Sequence, residues 1–238
     1  ILFDLEHPEH QSEFNNLVME VEAWGVKRSF LKELVIGAQF DARGGMIENE
    51  DDLMLYCYRV AGVVGLMMCP LIGVQDKRGY PHAIDLGIGM QLTNICRDIL
   101  EDARMQRIYL PQKDVKRLGL SLAILQKEVT PVELKQLVEK FLKVADNYYL
   151  SGYRGLAYIP LRPRIVILLA GEIYRHIGLK IRSKNFEVLK GRVYLNFWEK
   201  ILVSFKTMAR LATSTFWKPK QHSEDLHKLI KTLPGANA

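Results

Sequence analysis

Cysteine is scarce, with only Cys57, Cys69 and Cys96 in 238 residues. The odd count and the lack of zinc-type spacing argue against both a disulfide framework and a cysteine metal site. Their apolar neighbours point to reduced, buried thiols in a reducing compartment. Long apolar runs are also missing. The longest uncharged one covers residues 60–74 and is interrupted by Gly62, Gly65, Pro70 and Gly73, too short and broken for a membrane span. No basic, apolar, small-residue leader pattern opens the chain. No G-x-G-x-x-G follows a strand and no G-x-x-x-x-G-K-[ST] occurs, so neither a dinucleotide site of that type nor a P-loop is supported. Alternating apolar and polar residues and internal repeats are absent too, which leaves sheets without a pattern to build on. The six histidines are scattered, and no Ser/His/Asp set can be argued from their order.

What is present is helical. Apolar content of 48% and charged content of 25% suit a globular protein, and the length suits one large domain. Net charge is +6 and the pI about 9.1, a basic excess compatible with nucleic acid, an anionic membrane surface, a polyanionic substrate or simply a basic enzyme. Residues 1–10 read as an acidic loop in which His7 and His10 are solvated, followed by helices near 12–24 and 27–40 that end at Gly44 and Gly45. Asn49 is an N-cap, which makes Glu50, Asp51 and Asp52 first-turn charges rather than ligands. The next helix carries Tyr56, Val60, Val63 and Met67 on one stripe, with Gly62 and Gly65 leaving room for a close helix or a bulky ligand. Pro81 starts a long helix to Arg104. Further helices are expected at 113–117, 131–158, 164–181 and 194–215, the second ended by a sharp break at Pro160 and Pro163. The expected domain covers 1–217, followed by a loose, polar, basic tail over 218–238.

Residues 91–104 concentrate the chemistry. Gly and Pro are absent there, and Leu92, Ile95, Ile99 and Leu100 are the apolar positions. Taking Gln91 as zero, Asn94, Asp98 and Asp102 fall at about −60°, −20° and +20° around the helix. One face thus stacks two amides and two carboxylates in a D-x-x-x-D arrangement, with Glu101 flanking. Such a pair suits Mg²⁺ together with substrate phosphates. An acidic i,i+4 pair alone also occurs on solvated faces. The amides beside it, and Arg104, Arg107 and Ile108-Tyr109-Leu110-Pro111 beyond it, are not what a solvated face needs.

The block Gln91-Leu-Thr-Asn-Ile, Arg97-Asp98-x-x-x-Asp102, Arg107-Ile-Tyr-Leu-Pro111 resembles the second aspartate-rich motif of the squalene/phytoene synthase family. Tyr56-Cys-Tyr-Arg-Val-Ala-Gly-Val-Val-Gly65, Gly155-Leu-Ala-Tyr-Ile-Pro160 with Ile173-Tyr174-Arg175, and Gly191-Arg192-Val193 resemble three more of its blocks, in order, over roughly residues 29–210. The resemblance implies an all-α, single-domain isoprenoid-synthase fold with a central cavity. It implies head-to-head condensation of two prenyl diphosphates, with two geranylgeranyl diphosphates giving phytoene through prephytoene diphosphate as the leading reading. The alternatives are squalene, dehydrosqualene or hydroxysqualene synthesis from farnesyl diphosphate, or a non-catalytic assembly scaffold. Asp98, Asp102 and Asn94 would hold Mg²⁺, or Mn²⁺ in its place, and NADPH would enter only in a squalene-forming member. Asp98, Asp102, Tyr56 and Arg97 would be catalytic. Gln91, Asn94, Tyr109, Val60, Val64, Gly65, Tyr174, Arg192 and Arg107 would bind substrate.

Prenyl diphosphates are thus the implied partners, with a cytoplasmic location and peripheral contact at the inner face of the membrane, no nucleic acid, and a monomer or weak homodimer. One departure stands out: no D-x-x-x-D precedes Asp98, and Asp4 and Asp41 are isolated. With Ile1 rather than Met at the start, the expectation is that the family's first aspartate-rich motif lies upstream of residue 1.

Overall fold

Helix α5 (Tyr80–Arg97) is the axis on which the other helices are assembled. In a computed structural model, which describes residues 8–213 and 218–237 without the side chains of 8–11, 210, 212 and 213, every element is helical. His7 and the side chain of His10, expected to be solvated, lie outside the described residues, as does Asp4. The order is α1 (Pro8–Glu22), α2 (Arg28–Ala42), α3 (Glu50–Cys57), a π-helical turn (Tyr58–Gly62), α4 (Val63–Leu71), α5, α6 (Ile99–Arg104), α7 (Gln112–Arg117), α8 (Leu122–Leu125), α9 (Val132–Arg154), α10 (Leu161–Ser183) and α11 (Phe197–Thr213).

Two neighbours approach α5 at backbone distance because each crossing point is a glycine. A Cβ at Gly65 would lie 2.3 Å from the Ala83 carbonyl oxygen, and one at Gly87 would lie 2.4 Å from that of Ala61. The pairs 61/87 and 65/83 make α4 and its π turn antiparallel to α5. On the other flank Gly152 meets Leu86 and Gly155 meets His82, so α9 is antiparallel too. Ile84, Ile88 and Leu92, one helical face of α5, are fully buried between these flanks. In α9, Leu134, Val138, Phe141, Leu142, Ala145 and Tyr149 recur at spacings of three and four and are buried in the same core.

Asn49 caps α3 as expected, its Oδ1 accepting the Asp52 N–H at 3.0 Å. The stripe expected for Tyr56, Val60, Val63 and Met67 does not hold. The π turn at Tyr58–Gly62 inserts extra residue per turn, so the faces before and after it no longer line up. Val63 enters the core, Val60 packs against it while facing a cavity, and Met67 bridges the core and the small cluster of Phe14, Val18 and Leu31. With the π turn joining α3 and α4, Glu50–Leu71 becomes one helical stretch long and apolar enough to cross a membrane by length and composition. Half of its apolar window is buried within the fold.

Two other boundaries move. The long helix bends at Asp98 (φ −100°, ψ 13°), although the Asp98 carbonyl still accepts the Asp102 N–H at 2.8 Å. And α10 begins at Leu161, ahead of Pro163, because a proline in the first turn lacks only an N–H that has no intrahelical partner there.

The tail expected to be loose is docked. The Tyr58 hydroxyl donates to the Pro234 carbonyl at 2.8 Å and the Tyr148 hydroxyl to that of Leu226 at 3.1 Å. Ile230 and Ala236 are buried in the main core. Composition reads this segment as basic and polar, but Leu226, Ile230, Leu233 and Ala236 pack into or against the core.

Candidate active site

Between α4, α5, the end of α9 and the start of α10 lies an apolar cavity of about 280 Å³. That is near the small end of the ~300–1,000 Å³ usual for ligand sites. Val60, Val64 and Gly65 line one wall, Leu86 and Met90 another, and Gln91, Asn94 and Tyr174 supply the polar groups near one end. The expected pocket residues Val60, Val64, Gly65, Gln91, Asn94 and Tyr174 therefore do meet in one cavity. One turn beyond Asn94 the α5 axis reaches Asp98 and, past the bend, Glu101 and Asp102.

This rim is built from carboxylates and guanidinium groups. Asp98 is gripped by two arginines: Arg97 donates from Nε to Oδ1 at 2.7 Å and from Nη2 to Oδ2 at 2.5 Å, and Arg192 donates from Nε to Oδ1 at 2.8 Å. Gly191, at φ +114°, makes the turn that places Arg192 there, a backbone conformation an L side chain rarely adopts. Arg97 is buried and committed to Asp98, whereas Arg192 is half exposed. Of the arginines expected to meet phosphate, Arg97 thus positions Asp98, and Arg192 and the exposed Arg107 retain donors toward solvent.

Asp41 is the residue that sequence reasoning missed. It stands at the end of α2 and accepts hydrogen bonds from the Tyr56 hydroxyl at 3.0 Å and the Tyr109 hydroxyl at 3.0 Å. The two tyrosine rings stack at 5.3 Å, and Arg107 reaches the Tyr109 hydroxyl at 3.4 Å. Burial and the nearby Asp41 raise both phenols; the Tyr109 hydroxyl raises Tyr56 further, while the Arg107 and Tyr56 hydrogen bonds partly offset the rise at Tyr109, and both remain neutral donors. Tyr56, expected to be catalytic, and Tyr109, expected to bind substrate, form this acidic corner together with Asp41. A lone Asp before a Gly-Gly break carries no periodic signal, so only its 15-residue separation from Tyr56, one helical hairpin, could have hinted at the pairing.

Two polar atoms here are buried without a hydrogen-bond partner, the Asn94 Oδ1 and a Glu101 carboxylate oxygen. Asp102 is pushed up from 3.8 to about 7, first by burial, then by the Asp98 and Glu101 carboxylates, with Arg107 pulling the other way. Orphaned oxygens and a carboxyl whose charge is unsupported are what a hard oxygen-binding cation would satisfy, so the donor set fits Mg²⁺.

The raised value has a consequence for stability. The folded protein holds the Asp102 proton more tightly than the unfolded chain, so this contribution is full below about pH 4 and is lost as pH rises through about 7. In chelator-treated protein the melting temperature should therefore fall relative to Asp102→Asn between about pH 4 and 7 and level off above. Parallel melting profiles for the two proteins would contradict this.

Fold and site together define an all-helical protein whose apolar cavity leads to a rim of amides, carboxylates and arginines. Residues 7–199 match squalene/phytoene synthase, and the chain belongs to that family. It is 36% identical over 178 residues to the 15-cis-phytoene synthase of Pantoea ananas, covering 75% of this chain and 58% of that protein. It is 38% identical over 151 residues to a phytoene synthase of Pseudescherichia vulneris, covering 63% of this chain and 49% of that one. Among solved structures, a dehydrosqualene synthase in complex with ligand superposes with a TM-score of 0.74 at 29% identity, over 80% of this chain and 67% of that one. The chain thus spans about half to three fifths of the length of these curated relatives.

Proposed function

We propose that the protein of which this chain is part joins two prenyl diphosphates head to head, with two geranylgeranyl diphosphates giving phytoene. The observation that carries this reading is the apolar cavity running to Asn94, whose buried Oδ1 has no partner, beside Asp98 and Asp102. That shape suits an apolar chain with a polyanionic head. The similarity to phytoene synthases supports the substrate class. The structural likeness to a dehydrosqualene synthase supports the runner-up, a farnesyl diphosphate enzyme.

Asn94, Glu101 and Asp102 would hold Mg²⁺, with Mn²⁺ as a substitute, and Asp98 would join them by giving up Arg192. When bound, the metal neutralises the diphosphate leaving group. The chain's own residues do the rest. Arg192 and Arg107 contact phosphate oxygens at the rim, and Gln91 orients the head through its amide. The aliphatic walls, Val60, Val64, Leu86 and Met90, exclude water from the allylic cation left by ionisation. The Tyr174 ring at the polar end offers a π face to that cation.

We propose further that the opposite side of the metal set comes from residues outside this chain. Asp98 and Asp102 form its single D-x-x-x-D, and the chain covers only part of its relatives' length. Product analysis of the complete gene product, with farnesyl or geranylgeranyl diphosphate, Mg²⁺ and with or without NADPH, tests the reading. Phytoene from the C20 substrate without NADPH is expected. Squalene-type product would transfer the assignment to the runner-up, and inactivity with both substrates would favour the scaffold.

Peripheral membrane contact at the cytoplasmic face is proposed on the surface of α11. Phe197, Trp198, Ile201, Leu202 and Phe205 form an exposed apolar stripe there, while Val203, Thr207 and Leu211 pack inward. Lys200 and Lys206 on the same helix suit anionic headgroups. Trp198 fluorescence should shift blue on adding anionic vesicles, and the replacement of Trp198 and Phe205 by serine should abolish sedimentation with them. Unchanged sedimentation of that double variant would remove α11 from the contact.

A further inference from the structure

Asp85 lies in the middle of α5 with its carboxylate fully buried, on the side of the helix away from the acidic rim. Among the described residues it pairs with no lysine or arginine. Its partners come from the docked tail: the His222 Nε2 lies 2.8 Å from Oδ2 and the His227 Nε2 2.7 Å from Oδ1. The ligand-type atoms of the three residues all lie within 4.8 Å of one another.

Hydrogen counting shows that a proton or a cation must lie between His227 and Asp85. The His227 Nδ1 is 3.0 Å from the Ala236 carbonyl oxygen, which can only accept, so Nδ1 carries a hydrogen. A neutral ring with its hydrogen on Nδ1 turns a lone pair on Nε2 toward the Asp85 Oδ1. A lone pair facing a carboxylate oxygen at 2.7 Å is repulsive unless a proton or a metal ion lies between them.

We propose that Asp85, His222 and His227 form a structural site for one divalent transition-metal ion of the Zn²⁺ class, which fastens residues 218–237 to α5. One ion accounts for both imidazoles presenting Nε2 to the same carboxylate. The His227 Nδ1–H bond to a backbone carbonyl is the outer bond that orients ligating histidines. Two imidazoles and one carboxylate suit Zn²⁺, whereas the all-oxygen rim at Asn94, Glu101 and Asp102 suits Mg²⁺. Tetrahedral Zn²⁺ sets its donor atoms about 3.3 Å apart, so His222 and His227 would move outward by about half an ångström. His222 lies in irregular chain and His227 ends a short 3₁₀ helix, both outside the long helices, where such a shift is tolerated. His82 packs edge-on to His222 at 5.1 Å and is itself held by the Ser151 and Lys220 carbonyls, which closes the site on the cavity side.

The test is metal content after gel filtration of the whole chain, loaded with Zn²⁺ in excess Mg²⁺ so that the oxygen rim is already filled. One equivalent of Zn²⁺ should be retained. His227→Gln and His222→Gln should weaken its binding by at least about 100-fold, since loss of an outer-shell partner alone costs 10–100-fold. Asp102→Asn should retain the equivalent, which separates this site from the catalytic one. Co²⁺ in place of Zn²⁺ should give ligand-field absorption that both histidine variants lose. Chelation should speed proteolysis within 218–237. His222 is the safer variant because its side chain is partly exposed, and a melting curve checks its fold. No stoichiometric Zn²⁺ in the unaltered chain, or equal retention by both histidine variants, would overturn the proposal and leave a proton-bridged pair.

Discussion

Asp102→Asn should lower turnover of the complete enzyme by about 100- to 1,000-fold, the usual loss when one group that stabilises developing charge is removed. The reason lies in the unsupported charge at the rim. Asp102 is half-buried, faces the Asp98 and Glu101 carboxylates, and is raised to about 7. With no cation at this place only Arg107 favours its ionised form, against burial and two carboxylates, so the side chain has little stabilising structural role at neutral pH to lose. The variant should fold normally, and in chelator its melting point at neutral pH should match or exceed that of the unaltered protein. Asp98→Asn should cost as much activity for a different reason, because it also frees Arg97 and Arg192, the two arginines it now holds. Added Mg²⁺ should partly restore an enzyme weakened in metal binding alone. Near-normal turnover in both variants would remove the pair from the mechanism.

Gly87→Ala should destabilise the fold sharply, with no residue of the acidic rim touched. Alanine in an open helix gains about 0.5–1 kcal/mol over glycine. Here the new Cβ would lie 2.4 Å from the Ala61 carbonyl oxygen and 2.9 Å from the Gly62 Cα. Both are backbone atoms, so no side-chain rotation relieves the clash and α4 has to move away from α5. Overpacking of this kind costs about 1–3 kcal/mol or more. The melting temperature should fall by roughly 5–10 °C, given about 2–4 °C per kcal/mol for a chain of this size. The cavity between the same helices should lose affinity for any apolar chain. A melting point equal to or above that of the unaltered protein would show that the crossing is looser than described.

Much of this molecule is legible from the chain itself. Helix periodicity is local, and so is the face that stacks Gln91, Asn94, Asp98 and Asp102, because residues three and four apart must neighbour one another wherever a helix forms. The Asn49 cap, the glycine breaks and the apolar stripe of α9 follow from the same short-range rules. They are why the family could be recognised before any contact was known. The tertiary structure alone decided the rest, since each remaining feature depends on residues far apart in the chain. Asp41 reaches Tyr109 across 68 positions and becomes part of the rim. The π turn redistributes a stripe that periodicity had assigned to one face. His222 and His227 find Asp85 across 137 and 142 positions and turn a polar tail into a docked one. Composition told of charge and solubility there. Whether a buried carboxylate was waiting for two imidazoles is a question of packing, which no local pattern carries.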